Sequence, residues 1–293
     1  MNRIDGERRQ SVVDRVPPQV WFFGSAIFHY LGPAFAVLLF ARVPVGGVAW
    51  LRIVSAAVVF AVWRRPWRVV PALDGETRRL IVALGVVFAT MNYSFYRAID
   101  ALPLGTVAAI EFVGPIALAV IGRRSARNVV ALALAVGGVA LLTDVRLEGS
   151  GAGFAWAFVN AGLFTAYIVL AHRLARASSE TSPIDRLALA MLVASFGITP
   201  LGFAAGDGLL DPVAVAAGIG VGVSSSVIPY VFDQFAMTKL PRSTYALFVA
   251  LLPATAVLVG AVVLTQIPTP IELAAVTLVV AGIAVHRDPT PDR

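Results

Sequence analysis

Residues 80–121 read LIVALGVVFATMNYSFYRAIDALPLGTVAAIEFVGPIALAVI. Only Arg97, Asp100 and Glu111 carry charge in this stretch, which breaks once, at Leu102-Pro103. The break leaves two apolar runs of roughly 20 residues, the length one helix needs to cross a bilayer. Each run therefore reads as a membrane-spanning helix, and its few polar residues must be justified one by one.

The rest of the chain follows the same rule. Its 293 residues are 58% hydrophobic and 14% charged, with a mean hydropathy of +0.83. Soluble domains hold about 45–50% apolar and about 25% charged residues, so a water-soluble fold is excluded. Apolar stretches bounded by Arg, Gly, Pro or Asp fall at 19–41, 47–63, 79–99, 102–121, 127–143, 152–172, 184–205, 213–237, 241–265 and 270–286. Ten spans of about 20 residues take up roughly 200 residues and leave short connections. The expected fold is an all-α integral membrane protein of ten transmembrane helices.

Charge placement orients these spans. The net charge is +6. One side receives the basic residues of the N-terminal tail, those of the 64–79, 123–127 and 173–186 segments, Lys239 and Arg242, and Arg287 and Arg293, 19 in all. The other side receives Arg42, Arg97 and Arg146, and Arg52 falls inside a span. Basic residues concentrate on the cytoplasmic face, so both termini are expected there. The charge thus speaks to the lipid bilayer as partner, and nucleic acid is not expected. With no cysteine, disulfides and thiolate chemistry are impossible. No P-loop, dinucleotide fingerprint, nucleophile elbow or zinc-binding helix motif is present either, so no metal, no cofactor and no enzyme activity are expected.

The chain also repeats itself. Leu102-Pro103 precedes Pro115 by the same interval as Leu240-Pro241 precedes Pro253, at an offset of 138 residues that also aligns Thr106 with Thr244. This lays the third and fourth spans over the eighth and ninth and divides ten spans into two groups of five. An odd number per half inverts the second copy, an arrangement used by secondary transporters with a site between the halves. The expected organisation is a cytoplasmic tail over 1–18, a first five-helix repeat over 19–143, an inverted second repeat over 144–286, and a cytoplasmic tail over 287–293.

Polar residues inside the spans are the candidate site. Glu111, Asn92 and Arg52 lie at similar depths on three helices, and Asn92, Tyr93 and Tyr96 share one region of the third. At the offset of 138, Tyr230 and Gln234 are the counterparts of Asn92 and Tyr96. Glu111 reads as substrate contact or proton carrier, or else as a structural partner of Arg52 or a tyrosine. Arg52 can line the path or snorkel outward. Asn92, Tyr93 and Tyr96 read equally as pathway or as helix–helix hydrogen bonds. His29 reads as helix packing and Asp233 as solvated or functional, while Asn160 and Ser224-Ser225-Ser226 can extend the polar path, the serines reading otherwise as back-bonded packing. Pro115 and Pro253 are expected to bend their helices and serve as hinges.

The segment from Met91-Asn92-Tyr93-Ser94-Phe95-Tyr96-Arg97 through Leu102-Pro103-Leu104-Gly105-Thr106 to Ile110-Glu111-Phe112-Val113-Gly114-Pro115 resembles the EamA-type drug/metabolite transporters. Within them it is most similar to the threonine and homoserine exporter branch, as are Trp50-Leu51-Arg52, Arg65-Pro66-Trp67-Arg68 and Ile228-Pro229-Tyr230. The resemblance implies an inner-membrane exporter of small amino acids or related metabolites that works without ATP. Val37 stands near where that branch usually carries a lysine. Leu252-Pro253 replaces its Glu-Pro and Thr265-Gln266 its Gly-Glu, which leaves Glu111 as the main membrane-embedded acid. A small-molecule substrate is expected, with proton coupling through Glu111. Tyr93, Tyr96, Tyr230 and Tyr245 keep an exporter of drugs, purines or aromatic metabolites as the alternative. A membrane-embedded enzyme or sensor finds no motif. The sequence carries no signal for an oligomeric state.

Overall fold

The computed structural model describes residues 16–122, 125–146, 151–176, 181–203, 205–229, 231–232 and 251–285. Among these residues the chain is helical and contains no strand. Its helices are α1 (Pro18–Leu39), α2 (Val45–Arg64), α3 (Gly75–Ala101), α4 (Leu104–Glu111), α5 (Val113–Gly122), α6 (Ala126–Arg146), α7 (Gly151–Arg176), α8 (Pro183–Phe203), α9 (Pro212–Gly222), α10 (Leu252–Leu264) and α11 (Pro270–Val285). Five are long and apolar enough to cross a membrane, and shorter apolar helices accompany them. The protein is an all-α membrane protein.

The helix ends follow local chemistry. Asp74 caps α3 by accepting the Thr77 N–H at 2.6 Å, and Asp211 caps α9 by accepting that of Val213 at 2.9 Å. Each carboxyl is held below its ordinary acidity range, Asp74 by the Thr77 N–H and Asp211 chiefly by backbone N–H groups at Ala214 and Val213. Before α11, Thr269 and Glu272 form a capping box: Glu272 Oε2 accepts the Thr269 N–H at 2.8 Å and Thr269 Oγ1 accepts the Glu272 N–H at 3.2 Å.

Two of the apolar stretches are not single uninterrupted α-helices. The stretch at 102–121 breaks at Phe112, between α4 and α5. Pro115 supplies the reason: it has no N–H to bond the Glu111 carbonyl four residues earlier. The stretch beginning at 213 changes winding after α9 into a π-helical turn, Val223–Val227. There Pro229 stands four residues beyond Ser225 and likewise offers its carbonyl no N–H.

Close crossings are made at small residues, as helices in lipid require. α11 packs along α6, α3 against α7 and α8, and α2 against α8 and α9, while α10 contacts α1 and α4. A Cβ on Gly138 of α6 would stand 2.5 Å from the Ala275 carbonyl oxygen, and one on Gly282 of α11 would stand 2.7 Å from that of Ala131. Gly85 of α3 similarly admits Val193 of α8, and Gly222 of α9 admits Ser55 of α2. The core includes Tyr30, Phe60, Phe88, Tyr96 and Ile110, each no more than 1% exposed.

Candidate functional site

Arg52 lies at mid-length in α2 and is 7% exposed. Burying a guanidinium requires replacing its water. The π-turn does part of this: Arg52 Nε donates to Ser226 Oγ at 3.2 Å and Nη2 to the Ser225 carbonyl at 3.2 Å. Pro229, four residues on, offers that carbonyl no N–H. The Tyr96 ring lies 5.4 Å from the guanidinium carbon, a cation–π distance, and Phe40 meets Tyr96 edge-on at 5.7 Å. The Tyr96 hydroxyl lies beside Arg52 and Ser225 without reaching hydrogen-bond geometry. Ser225 Oγ bonds back to the Val221 carbonyl. No carboxylate lies within ion-pair distance of Arg52 among the described residues.

Glu111 closes α4 and is also 7% exposed. Its Oε1 accepts from Asn160 Nδ2 of α7 at 3.1 Å. Tyr30 lies within electrostatic range of Glu111, and Arg52 is in range of both Glu111 and His29. Arg52 and Glu111 thus feel one another across the interior without touching. Asn160 Oδ1 is buried without a partner. Asn92 is buried on α3; its Nδ2 donates back to the Phe88 carbonyl at 2.9 Å and its Oδ1 is also left without a partner. Such orphaned acceptors cost about 1–3 kcal/mol each and call for a function.

The structure thus brings Arg52 and Tyr96 together, with Glu111 in electrostatic range. It sets Tyr93 apart from Arg52, edge-on to Trp156 of α7 at 5.6 Å. Pro115 lies in the first turn of α5 and Pro253 in that of α10. Tyr230 and Gln234 lie outside the described residues, as do Asp233 and Tyr245. Sequence reading missed Tyr30, whose one signal is its place next to His29. Among the described residues no group of His, Asp or Glu could hold a metal.

Buried polar groups on facing helices of a membrane bundle, left short of partners, are the equipment of a solute transporter. Similarity to known proteins agrees. Residues 151–286 match the EamA-like transporter family. The threonine/homoserine exporter RhtA of Escherichia coli (strain K12) is 31% identical over 263 residues, covering 86% of this chain and 84% of that protein. Its counterpart in Salmonella typhimurium (strain SL1344) is 29% identical over 264 residues, covering 88% of each. The chain belongs to the EamA-like transporter family. A crystal structure of a protein 17% identical shares the fold at a TM-score of 0.59, over 92% of this chain and 95% of its own.

Proposed function

We propose that this protein exports small amino acids of the threonine and homoserine kind across the bacterial cytoplasmic membrane by alternating access. The observation that carries this reading is the pair of buried charges that do not neutralise each other. Arg52 Nη1 and Glu111 Oε2 have no hydrogen-bond partner among the described residues. A zwitterion satisfies both, its carboxylate on Arg52 and its ammonium on Glu111 and the open oxygen of Asn160. Asn92 and Tyr96 border this path and Tyr93 packs beside it; Tyr230 and Gln234 are the sequence counterparts of Asn92 and Tyr96 at the 138-residue offset and are proposed to act with them. Glu111 carries the coupling proton when no ammonium faces it.

Two inverted five-helix repeats accommodate this cycle. The crossings of α6 and α11 are reciprocal: Gly138 meets Ala275 and Gly282 meets Ala131, and both pairs of equivalent residues are 144 apart. The pairing of α3 with α8 through Gly85 and Val193 likewise has its image in α9 with α2 through Gly222 and Ser55. Pro115 and Pro253 then stand at equivalent hinges. The 19-to-3 division of basic residues favours cytoplasmic termini.

The test is efflux of labelled L-threonine and L-homoserine from liposomes containing purified protein, with and without a proton gradient. Gradient-stimulated movement of both is expected. Movement of purines or aromatic drugs alone would overturn the substrate class, and no movement of any solute would overturn the function.

A further inference from the structure

A cavity of ≈ 450 Å³ opens between the C-terminal end of α3 and the N-terminal part of α4 on one side and α10 and α11 on the other. It is displaced from the Arg52–Glu111 centre. Thr106 on its wall and Glu111 share α4, five residues apart, a rise of about 7.5 Å along the axis. The volume suits a small solute. Its chemistry is one-sided: among the described residues Asp100 and Glu272 line it together with Thr106, Thr265 and Gln266, and no basic residue does.

These five polar side chains fall into two kinds, and Thr265 Oγ1 is already turned back to the Leu264 carbonyl at 2.6 Å. Glu272 is held by its capping box, and Gln266 Oε1 accepts the Leu104 N–H at 3.0 Å, which ties α4 to the segment after α10. Both are occupied in holding the wall. Asp100 is exposed and has no hydrogen bond or ion pair with a described residue. Thr106 is only 3% exposed, and its Oγ1 makes no hydrogen bond with a described residue either. A carboxylate and a buried hydroxyl on one wall, neither bonded to a described residue, with a second carboxylate on the facing wall, form a receptor for a cation that donates hydrogen bonds.

We propose that this cavity is a second binding site, for the ammonium group of a small amine or amino acid, with Asp100 and Thr106 as its direct contacts and Glu272 supplying further negative potential. Placing it on the exit route rests on the export reading above; the binding chemistry does not. A solute released from the deep site passes α4 and is held here by its ammonium before it leaves. Gln266 positions the wall and does not touch the ligand.

Because the chain has no cysteine, one introduced thiol reports without background. Ile267 lines the cavity and is 81% exposed, so I267C is labelled with a membrane-impermeant maleimide in oriented vesicles of the full chain. Ethanolammonium is expected to slow labelling from the outer side, while ethylene glycol at equal concentration is not. Adding D100N should raise the ethanolammonium concentration needed by about tenfold, the effect of losing one charge-assisted contact, and T106V should raise it less. Equal protection by ethylene glycol, or unchanged protection in the D100N/T106V pair, overturns the site. Labelling from the cytoplasmic side alone overturns the exit route. Threonine efflux is measured on the same vesicles, so loss of transport with protection intact removes the export reading and leaves the site standing.

Discussion

Arg52 and Glu111 are equally buried, yet the protein treats them differently. Arg52 receives a serine hydroxyl, a backbone carbonyl to which Pro229 offers no N–H, and an aromatic face. Glu111 receives one amide N–H, at the point where its own helix stops. A cation with several fixed partners is an anchor whose place is set by α9 and its π-turn. In the proposed export cycle a carboxylate with a single partner serves as the exchange site, since either a proton or a substrate ammonium adds what it lacks. On the proposed cycle, this difference divides the labour between holding and coupling.

Removing the anchor is expected to have the largest effect. R52A strands the Ser225 carbonyl and Ser226 hydroxyl and deletes the carboxylate pole. Truncating one partner of a buried, charged contact costs about 2–5 kcal/mol, so kcat/KM for threonine efflux should fall by about thirtyfold or more. R52K keeps the charge but not the fork that reaches two acceptors, and should lose about tenfold. Equal activity in R52A and the wild type would end the anchor assignment. At the other pole, E111Q should lower gradient-driven efflux by at least about tenfold while leaving exchange of threonine between equal pools much less affected. Persistence of the full gradient response in E111Q would show that the proton travels elsewhere. N160A, which removes the carboxylate's hydrogen-bond donor, should fall between E111Q and the wild type in the same assay.

What the sequence made legible divides along the same line. The membrane class and the positions of the apolar stretches could be read because a span needs about 20 apolar residues, and few features produce such runs by chance. The candidates Arg52, Asn92, Tyr96 and Glu111 stood out because polar groups in lipid are conspicuous. Which residue each one pairs with did not, because contacts between distant spans leave no periodic mark: Asn160 is 49 residues from Glu111 and Ser226 is 174 from Arg52. The break at Phe112 is invisible to hydropathy, since both halves are apolar. Counting four residues back from Pro115 and Pro229 would have flagged the Glu111 and Ser225 carbonyls. The placement of Tyr93 against Trp156 was beyond reach for another reason: neighbours one residue apart on a helix diverge by about 100°, so Tyr93 and Asn92 face different elements.

Packing offers the next test, acting on the anchor from behind. A Cβ on Gly222 would collide with Ser55 Oγ and stand 2.6 Å from the Arg52 carbonyl oxygen, so G222A must push α9 off α2. Overpacking of this kind costs about 1–3 kcal/mol, read as a lower thermal midpoint in detergent, and should weaken threonine affinity because the Ser225–Arg52 bond stretches. A Cβ on Gly137 of α6 meets nothing within 4 Å, so G137A is the control and should hold or raise the midpoint. If both variants behave alike, the close approach of α2 and α9 does not position Arg52.

The smallest effect is expected at the membrane surface, where a charge has water as well as protein for company. Asp74 is exposed and its carboxylate is stabilised chiefly by the Thr77 N–H, which holds it below its ordinary value of 3.8. A group whose folded value is depressed adds stability above its unfolded value and loses it as pH falls through the folded one. D74A should therefore lower the thermal midpoint at neutral pH by less than G222A does. The gap to the wild type should narrow as pH falls from 3.8 through the lower folded value, where Asp74 takes up its proton. Efflux should be unchanged, because the cap lies at the start of α3 while Asn92 and Tyr96 lie in its later turns. A gap that stays constant with pH would mean that Asp74 acts through shape and not through charge. Surface charge would then be separated from the buried pair in kind as well as in size.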